Sequence, residues 1–146
     1  MSHQAVAQLV LENAERFGDR NSQQFRYLAS RLSKNGPAEV LAGLMQVFTA
    51  GPAASEGSKA QELAAALLME LRPQGELQLE STIRGALPRY ELSVEQFPLF
   101  LAATVGTDAV REVLSRLEET ELSPREARAR DTMMFWLRND QPPSLK

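Results

Sequence analysis

The sequence contains no cysteine and only one histidine, His3, among 146 residues. Without cysteine, disulfides, thiolate nucleophiles and cysteine-ligated zinc are excluded. A single terminal histidine supplies no Ser-His-Asp triad, HExxH helix or Glu-x-x-His pair for a di-metal site. Glycine-rich phosphate loops are missing too, because the glycines are scattered and no Gly-Lys-Ser/Thr follows them. These absences predict a non-enzymatic protein without a metal or cofactor.

Long hydrophobic runs and a strong excess of one charge are also missing. No stretch approaches the roughly 18 apolar residues of a membrane-spanning helix, and the N-terminus lacks the order of a signal peptide. Lys and Arg total 16 against 19 Asp and Glu, a net charge of −3, which disfavours attraction of the whole surface to nucleic acid or lipid. We therefore expect a cytoplasmic protein that does not bind membranes.

What the sequence does contain is helical periodicity. Apolar residues recur at three- and four-residue steps through most of the chain, and 43% of all residues are hydrophobic. The pattern predicts one all-α domain over residues 1–138, with seven to eight short antiparallel helices and a flexible tail over 139–146. Two architectures stay open: helical hairpins stacked as a HEAT-like right-handed array, or an irregular bundle.

The predicted central helix covers Ser58–Leu71, the longest strongly apolar run. Ser58 with Gln61 fits a capping box at its start, and Pro73 ends it. The preceding stretch 51–57, GPAASEG, is rich in small residues and predicts a loop between two helical layers. One face of the helix is predicted to carry Ala60, Leu63, Ala64, Leu67, Leu68 and Leu71.

The other predicted helices have recognisable ends. The weakest is Glu76–Leu87, whose alternating apolar residues also fit a strand; a helix is favoured because no second strand is available for pairing. The clearest start is Ser123-Pro124-Arg125-Glu126, which combines a capping serine, a proline at the first position and a glutamate completing the box. The remaining helices are expected to start at Ser2 or Gln4, Asn21 or Ser22, Pro37, Ser93 with Gln96, and Thr107 or Asp108.

About 25 residues resemble a known repeat. Phe97-Pro98-Leu99-Phe100-Leu101, followed by Thr107-Asp108-Ala109-Val110-Arg111 and continuing to Leu117, is similar to a HEAT-type repeat. That family places a proline in the first helix, an aspartate in the turn and a Val-Arg pair in the second helix; here Pro98, Asp108, Val110 and Arg111 would take those places. The Asp108–Arg111 spacing is shorter than in the family. The resemblance implies a curved helical scaffold whose concave face binds a protein or, less often, a nucleic acid.

Two late segments hold more large apolar residues than one helix face accommodates. Core packing is one explanation, and an exposed interface is the other. Three acids also cluster where a helix is expected to end, either as a solvated turn or as a patch for a basic partner. The predicted partner-binding residues are Phe97, Phe100, Met133, Trp136, Glu118, Glu119 and Glu121.

The sequence thus predicts a non-catalytic protein–protein interaction module: an adaptor, an inhibitor or an immunity-type protein. Its partner would be another protein, and the same apolar clusters would serve a homo-oligomer. The alternative is a nucleic-acid-binding helical module. It would use the cations that surround Phe25 and Tyr27 and precede the next acid, Glu39. These are Arg20, Arg26, Arg31 and Lys34.

Overall fold

The computed structural model describes the backbone of residues 1–52 and 54–139 and the side chains of residues 1–52 and 59–138. Over this range the chain forms eight α-helices and no strand, which confirms the all-α prediction. The helices are α1 (His3–Phe17), α2 (Ser22–Ser33), α3 (Pro37–Ala50), α4 (Ala54–Leu71), α5 (Leu79–Ala86), α6 (Gln96–Val105), α7 (Thr107–Leu117) and α8 (Pro124–Asn139).

Three helix starts follow the predicted capping chemistry. The Ser2 hydroxyl accepts a hydrogen bond from the Ala5 amide at 3.2 Å, and the Asn21 side chain accepts one from the Gln24 amide at 3.0 Å. Each cap satisfies an amide that the first helical turn leaves without a backbone partner. At α8 the predicted capping box forms in both directions: the Ser123 amide donates to Glu126 Oε1 at 2.9 Å, and the Glu126 amide donates to Ser123 Oγ at 3.1 Å.

The start of α4 differs from the prediction. The helix begins at Ala54, so Ser58 lies inside it and the predicted capping box with Gln61 does not form. Gln61 is instead fully buried and hydrogen bonds to the chain before α6. Of the predicted loop at 51–57, only Gly51 and Pro52 are described outside a helix, and Ala53 lies outside the described residues. At the other end, α8 includes Asn139, the first residue of the tail predicted over 139–146, and residues 140–146 lie outside the described residues.

The middle helices are shorter than predicted or are capped differently. α5 covers Leu79–Ala86 rather than 76–87, although its helical character is confirmed. Ser93 does not cap α6, because its amide and hydroxyl both donate to Glu91 Oε1. At α7 the N-cap position belongs to Gly106, with φ of 99°, and no side chain caps that helix. Pro98 lies in the first turn of α6, as predicted.

Close helix contacts depend on two glycines. α1 packs on α3 at Gly43, where a Cβ would lie 2.5 Å from Val6 Cβ and 2.7 Å from the His3 carbonyl oxygen. α3 packs on α5 at Gly85, where a Cβ would lie 3.1 Å from Thr49 Cβ. Real side-chain carbons do not approach to 2.5 Å, so Gly43 sets the separation of α1 and α3.

The core is continuous and has α4 at its centre, packed against α1, α2, α3 and α6. Its aromatic part joins three segments: Phe97 stacks on Phe48 with ring centroids 4.1 Å apart and lies 6.0 Å from Tyr90. The Tyr90 hydroxyl donates to the Val94 carbonyl at 2.7 Å. Burial raises the pKa of Tyr90, so the phenol stays protonated and serves as a structural donor.

The connection between α5 and α6, residues 87–95, has little regular structure but is held by side chains of other helices. These side chains supply partners for backbone polar groups that no helix pairs. Among the described residues, no buried side-chain nitrogen or oxygen lacks a hydrogen-bond partner. The side chains that bond this connection are Gln61 (to the Arg89 carbonyl, 2.7 Å, and the Glu91 amide, 2.8 Å), Arg125 (to the Pro88 carbonyl, 2.7 Å, and the Tyr90 carbonyl, 3.2 Å) and Trp136 (to the Leu92 carbonyl, 3.0 Å).

Candidate interaction surfaces

Three of the four apolar residues predicted to bind a partner lie in the core. Phe97 and Met133 are 0% exposed and Phe100 is 3% exposed, which contradicts the prediction that they form a partner surface. Neighbouring helices cover them, as the Phe48–Phe97 stack shows. Trp136 is half-buried, and its indole N–H donates to the Leu92 carbonyl, so it stabilises the α5–α6 connection.

The predicted acidic residues lie at the surface after α7. Glu118 accepts a hydrogen bond at 3.2 Å from the guanidinium of Arg130, which also donates to the Leu114 carbonyl at 2.7 Å. Glu118 therefore takes part in joining α7 to α8. Glu119 and Glu121 are exposed.

Sequence reasoning missed the exposed aromatic residue of α8, Phe135. Its side chain is 51% exposed and contacts the edge of the Trp136 ring at a centroid distance of 5.3 Å. It lies at a shallow depression on the outer side of α8, with Arg128 and Asp131 nearby. The spacing held a signal: two residues after the buried Met133, a helical side chain points to the opposite side.

The solvent side of α2 carries what we call the basic face: Arg26, Tyr27, Arg31 and Lys34. These positions lie within an arc of about 140° around the helix, opposite the buried side that holds the core leucines of α2. All four are exposed, and Tyr27 is 57% exposed. No acid occurs between residues 20 and 38, and none of the three cations forms an ion pair with a described residue.

Arg20, the fourth predicted cation, belongs to a different neighbourhood. It lies in the α1–α2 turn, close enough to Glu62 on α4 to lower the pKa of that carboxyl. Burial raises the pKa of Glu62 more strongly, and the charges of Asp19 and Glu91 raise it further. Arg20 therefore lies near acidic residues. The structure groups only the other three predicted cations, Arg26, Arg31 and Lys34, on one side of α2.

Two cavities flank the α4–α5 connection: the smaller lies between this connection and the α2–α3 turn, and the larger lies between it and α6. The smaller cavity, of about 190 Å³, is lined by the residues Leu32, Ser33, Asn35, Pro37, Val40, Leu71 and Pro73. The larger cavity, of about 420 Å³, is lined by Arg72, Pro73, Gln74, Gly75, Phe100, Ala103 and Thr104. The two cavities share Pro73 and thus adjoin each other.

Local backbone geometry shapes the wall between these cavities. α4 ends at Leu71, and Arg72 follows in a left-handed conformation with φ of 45°, which costs an L-residue about 1–2 kcal/mol. Pro73 then prevents the helix from continuing. Further along, Gly75 lies so close to α3 that a Cβ would be 3.1 Å from Ala38 Cα. The connection is therefore held against α3, and its rim is preformed.

The basic face ends beside the smaller cavity, which is lined by neighbours of its residues and not by the four residues themselves. Lys34 lies between Ser33 and Asn35, both of which line that cavity, and Leu32 on the inner side of α2 supplies part of its wall. Arg72, which directly precedes Pro73, is exposed and lines the larger cavity. The structure thus brings cations of α2 and of the α4–α5 connection to two adjoining cavities.

Within the part of the chain that the structure describes, no cluster of three His, Cys, Asp or Glu residues has the geometry of a metal site. None of the helices in the described ranges is both long and apolar enough to cross a membrane. No family model, no curated protein and no solved structure matches this chain.

Proposed function

We propose that this chain is a non-catalytic protein-interaction module that binds a segment of another protein in the two adjoining cavities. The observation that carries the proposal is their arrangement around Pro73: the smaller cavity has aliphatic walls from Leu32, Val40 and Leu71, and the larger one has polar groups at its rim. Aliphatic walls beside polar groups are what a peptide side chain and its backbone require.

The open shape of the cavities supports a peptide rather than an enclosed small molecule. Pockets for drug-sized ligands are typically about 300–1,000 Å³ and enclose most of the ligand. The smaller cavity, of about 190 Å³, falls below that range, and the larger, of about 420 Å³, falls within it but is open to solvent. Two shallow cavities in succession suit successive side chains of one extended segment.

The rim supports the proposal because it is preformed. The left-handed Arg72, the adjacent Pro73 and the close approach of Gly75 to α3 define one backbone path for the α4–α5 connection. A preformed rim loses little conformational entropy when a partner binds, so more of the contact energy remains as affinity. A HEAT-like arrangement of the helices would add a concave face to such a site and stays a prediction.

The test fills each cavity from its rim. Ser33 and Ala103 are exposed and line the smaller and the larger cavity, so Ser33→Trp and Ala103→Trp should occupy them without disturbing the core. Ser115→Trp on the exposed side of α7 is the matched control, since Ser115 lines neither cavity.

The readout is a random peptide library selected against the full chain. We expect enriched peptides whose affinity falls at least about 10-fold on one or both cavity variants and is unchanged on Ser115→Trp. Peptides that bind both cavity variants as tightly as the unmodified chain, or a selection that enriches nothing, would overturn the proposal.

A further inference from the structure

We propose that the segment bound by the two cavities is acidic, with its carboxylates along the basic face of α2 and an apolar side chain in the smaller cavity. This inference rests on the proposed function, because the basic face ends at that cavity. It adds the chemistry of the partner to the place where the partner binds.

The cations of the basic face have no partner within the described part of the fold. Several arginines later in the chain have intramolecular partners: Arg84 and Arg116 both bond Glu80, and Arg130 bonds Glu118. By contrast, the side chains of Arg26, Arg31, Lys34 and Arg72 form no hydrogen bond or ion pair with any described residue. These four either form the basic face or line the larger cavity.

The spacing of the cations along α2 matches the spacing of side chains in an extended peptide. Arg26 and Lys34 are eight positions apart, which is about 12 Å along a helix at 1.5 Å per residue. In an extended peptide, alternate side chains on one side are about 6.6 Å apart. The basic face therefore matches two or three acidic residues at alternate positions of a strand-like segment. Arginine favours this pairing, since its planar guanidinium bonds a carboxylate through two parallel N–H groups.

The smaller cavity favours a protein segment over a nucleic acid as the partner of the basic face. A nucleic acid would use the three cations and stack a base on the exposed Tyr27. It offers no aliphatic group larger than the thymine methyl to the cavity formed by Leu32, Val40 and Leu71, where the same face ends. A chain of net charge −3 also repels a long polyanion at distance, whereas a short acidic segment meets only the local positive field.

The experiment measures binding of defined peptides to the full chain by fluorescence anisotropy. The probe is a labelled ten-residue peptide with three glutamates at alternate positions followed by leucine. Its companions replace all three glutamates with glutamine, or the leucine with alanine. Because surface ion pairs weaken with ionic strength, affinity for the acidic probe should fall between about 20 mM and 200 mM salt.

Two triple variants of equal charge locate the contact. Arg26→Gln/Arg31→Gln/Lys34→Gln removes the basic face, and Arg16→Gln/Lys59→Gln/Arg128→Gln removes three exposed cations elsewhere. Three exposed pairs of ordinary strength predict a loss of affinity of about 10-fold for the first triple and less than about 3-fold for the second. The all-glutamine probe should bind the unmodified chain about 10-fold more weakly, and the alanine probe should also bind more weakly.

Separate results overturn the two proposals. If library peptides depend on the cavities but are neutral, and the basic-face triple binds them normally, the acidic partner is wrong and the proposed function stands. If a thymidine oligonucleotide of ten nucleotides binds more tightly than the acidic probe and loses that affinity in Tyr27→Ala, the basic face binds nucleic acid instead. If neither library peptides nor the acidic probe bind, both proposals fall.

Discussion

Replacing Gln61 with leucine tests the hydrogen bonds that hold the α5–α6 connection. Gln61 is 0% exposed; its amide nitrogen donates to the Arg89 carbonyl at 2.7 Å, and its amide oxygen accepts from the Glu91 amide at 2.8 Å. Leucine has a similar size but neither a donor nor an acceptor. The substitution therefore leaves two backbone groups of the connection without partners.

The expected cost follows from those two groups. A buried polar group without a partner costs about 1–3 kcal/mol; both hydrogen bonds here are partly buried, so the pair costs about 2–4 kcal/mol. Burying leucine in place of an amide returns about 1 kcal/mol, because the amide no longer has to be removed from water. We expect Gln61→Leu to lower the free energy of unfolding by about 1–3 kcal/mol, compared with the roughly 5–15 kcal/mol that keeps a domain folded.

Urea unfolding provides the assay, followed through the fluorescence of the single tryptophan, Trp136. The midpoint should fall while the dependence of the unfolding free energy on urea stays the same, since the exposed area on unfolding changes little. Gln23→Leu on the exposed side of α2 is the control and should stay within about 0.5 kcal/mol of the unmodified chain. A Gln61→Leu variant equally close to the unmodified chain would refute the reasoning.

Three further predictions concern close contacts and one carboxyl group. Gly43→Ala should destabilise the chain by at least about 1 kcal/mol in the same assay. The added Cβ would lie 2.5 Å from Val6 Cβ, and the cost of this clash exceeds the roughly 1 kcal/mol gained in helix propensity. A more stable variant would contradict the α1–α3 packing. Gly75→Ala pushes the α4–α5 connection away from α3 and should weaken binding of the library peptides at least about 3-fold in anisotropy titrations. Gly36→Ala, which has open space around it, should leave their binding unchanged. Equal peptide affinity of the two variants would show that the rim is not part of the binding site. Burial raises the pKa of Glu62, so ionising this carboxyl costs stability as the pH rises through that pKa. In urea unfolding, Glu62→Gln should therefore be more stable than the unmodified chain at pH 7 and equally stable below the unfolded pKa of 4.5. A less stable variant at pH 7 would show that the attraction between Glu62 and Arg20 dominates.

Helix starts with local signals could be predicted before the structure was known. Ser2, Asn21 and the Ser123–Glu126 pair each bond an amide within three residues, so their role is readable from spacing alone. The cations of α2 were likewise visible in the sequence, although the structure groups only three of the four predicted ones and places Arg20 near Glu62. Interactions of this range do not depend on how the helices later pack.

Local signals failed where a distant contact decided the outcome. Ser58 and Gln61 have the spacing of a capping box, but α4 begins at Ala54 and Gln61 bonds residues 28 and 30 positions away. The side-chain amide of Gln61 instead satisfies two backbone groups of the α5–α6 connection, which would cost stability if they had no partner. Nothing within a few residues of Gln61 carries that information.

Which surfaces are open to a partner depends on how the helices pack against one another. Phe97 and Phe135 are both aromatic residues in crowded apolar segments, yet one is fully buried and the other is half-exposed. Which side of a crowded helix stays bare depends on whether another helix covers it. The two cavities require the same information, since their walls come from α2, α3, the α4–α5 connection and α6. A cavity is the space that packing leaves between distant segments, so periodicity along one segment cannot predict it.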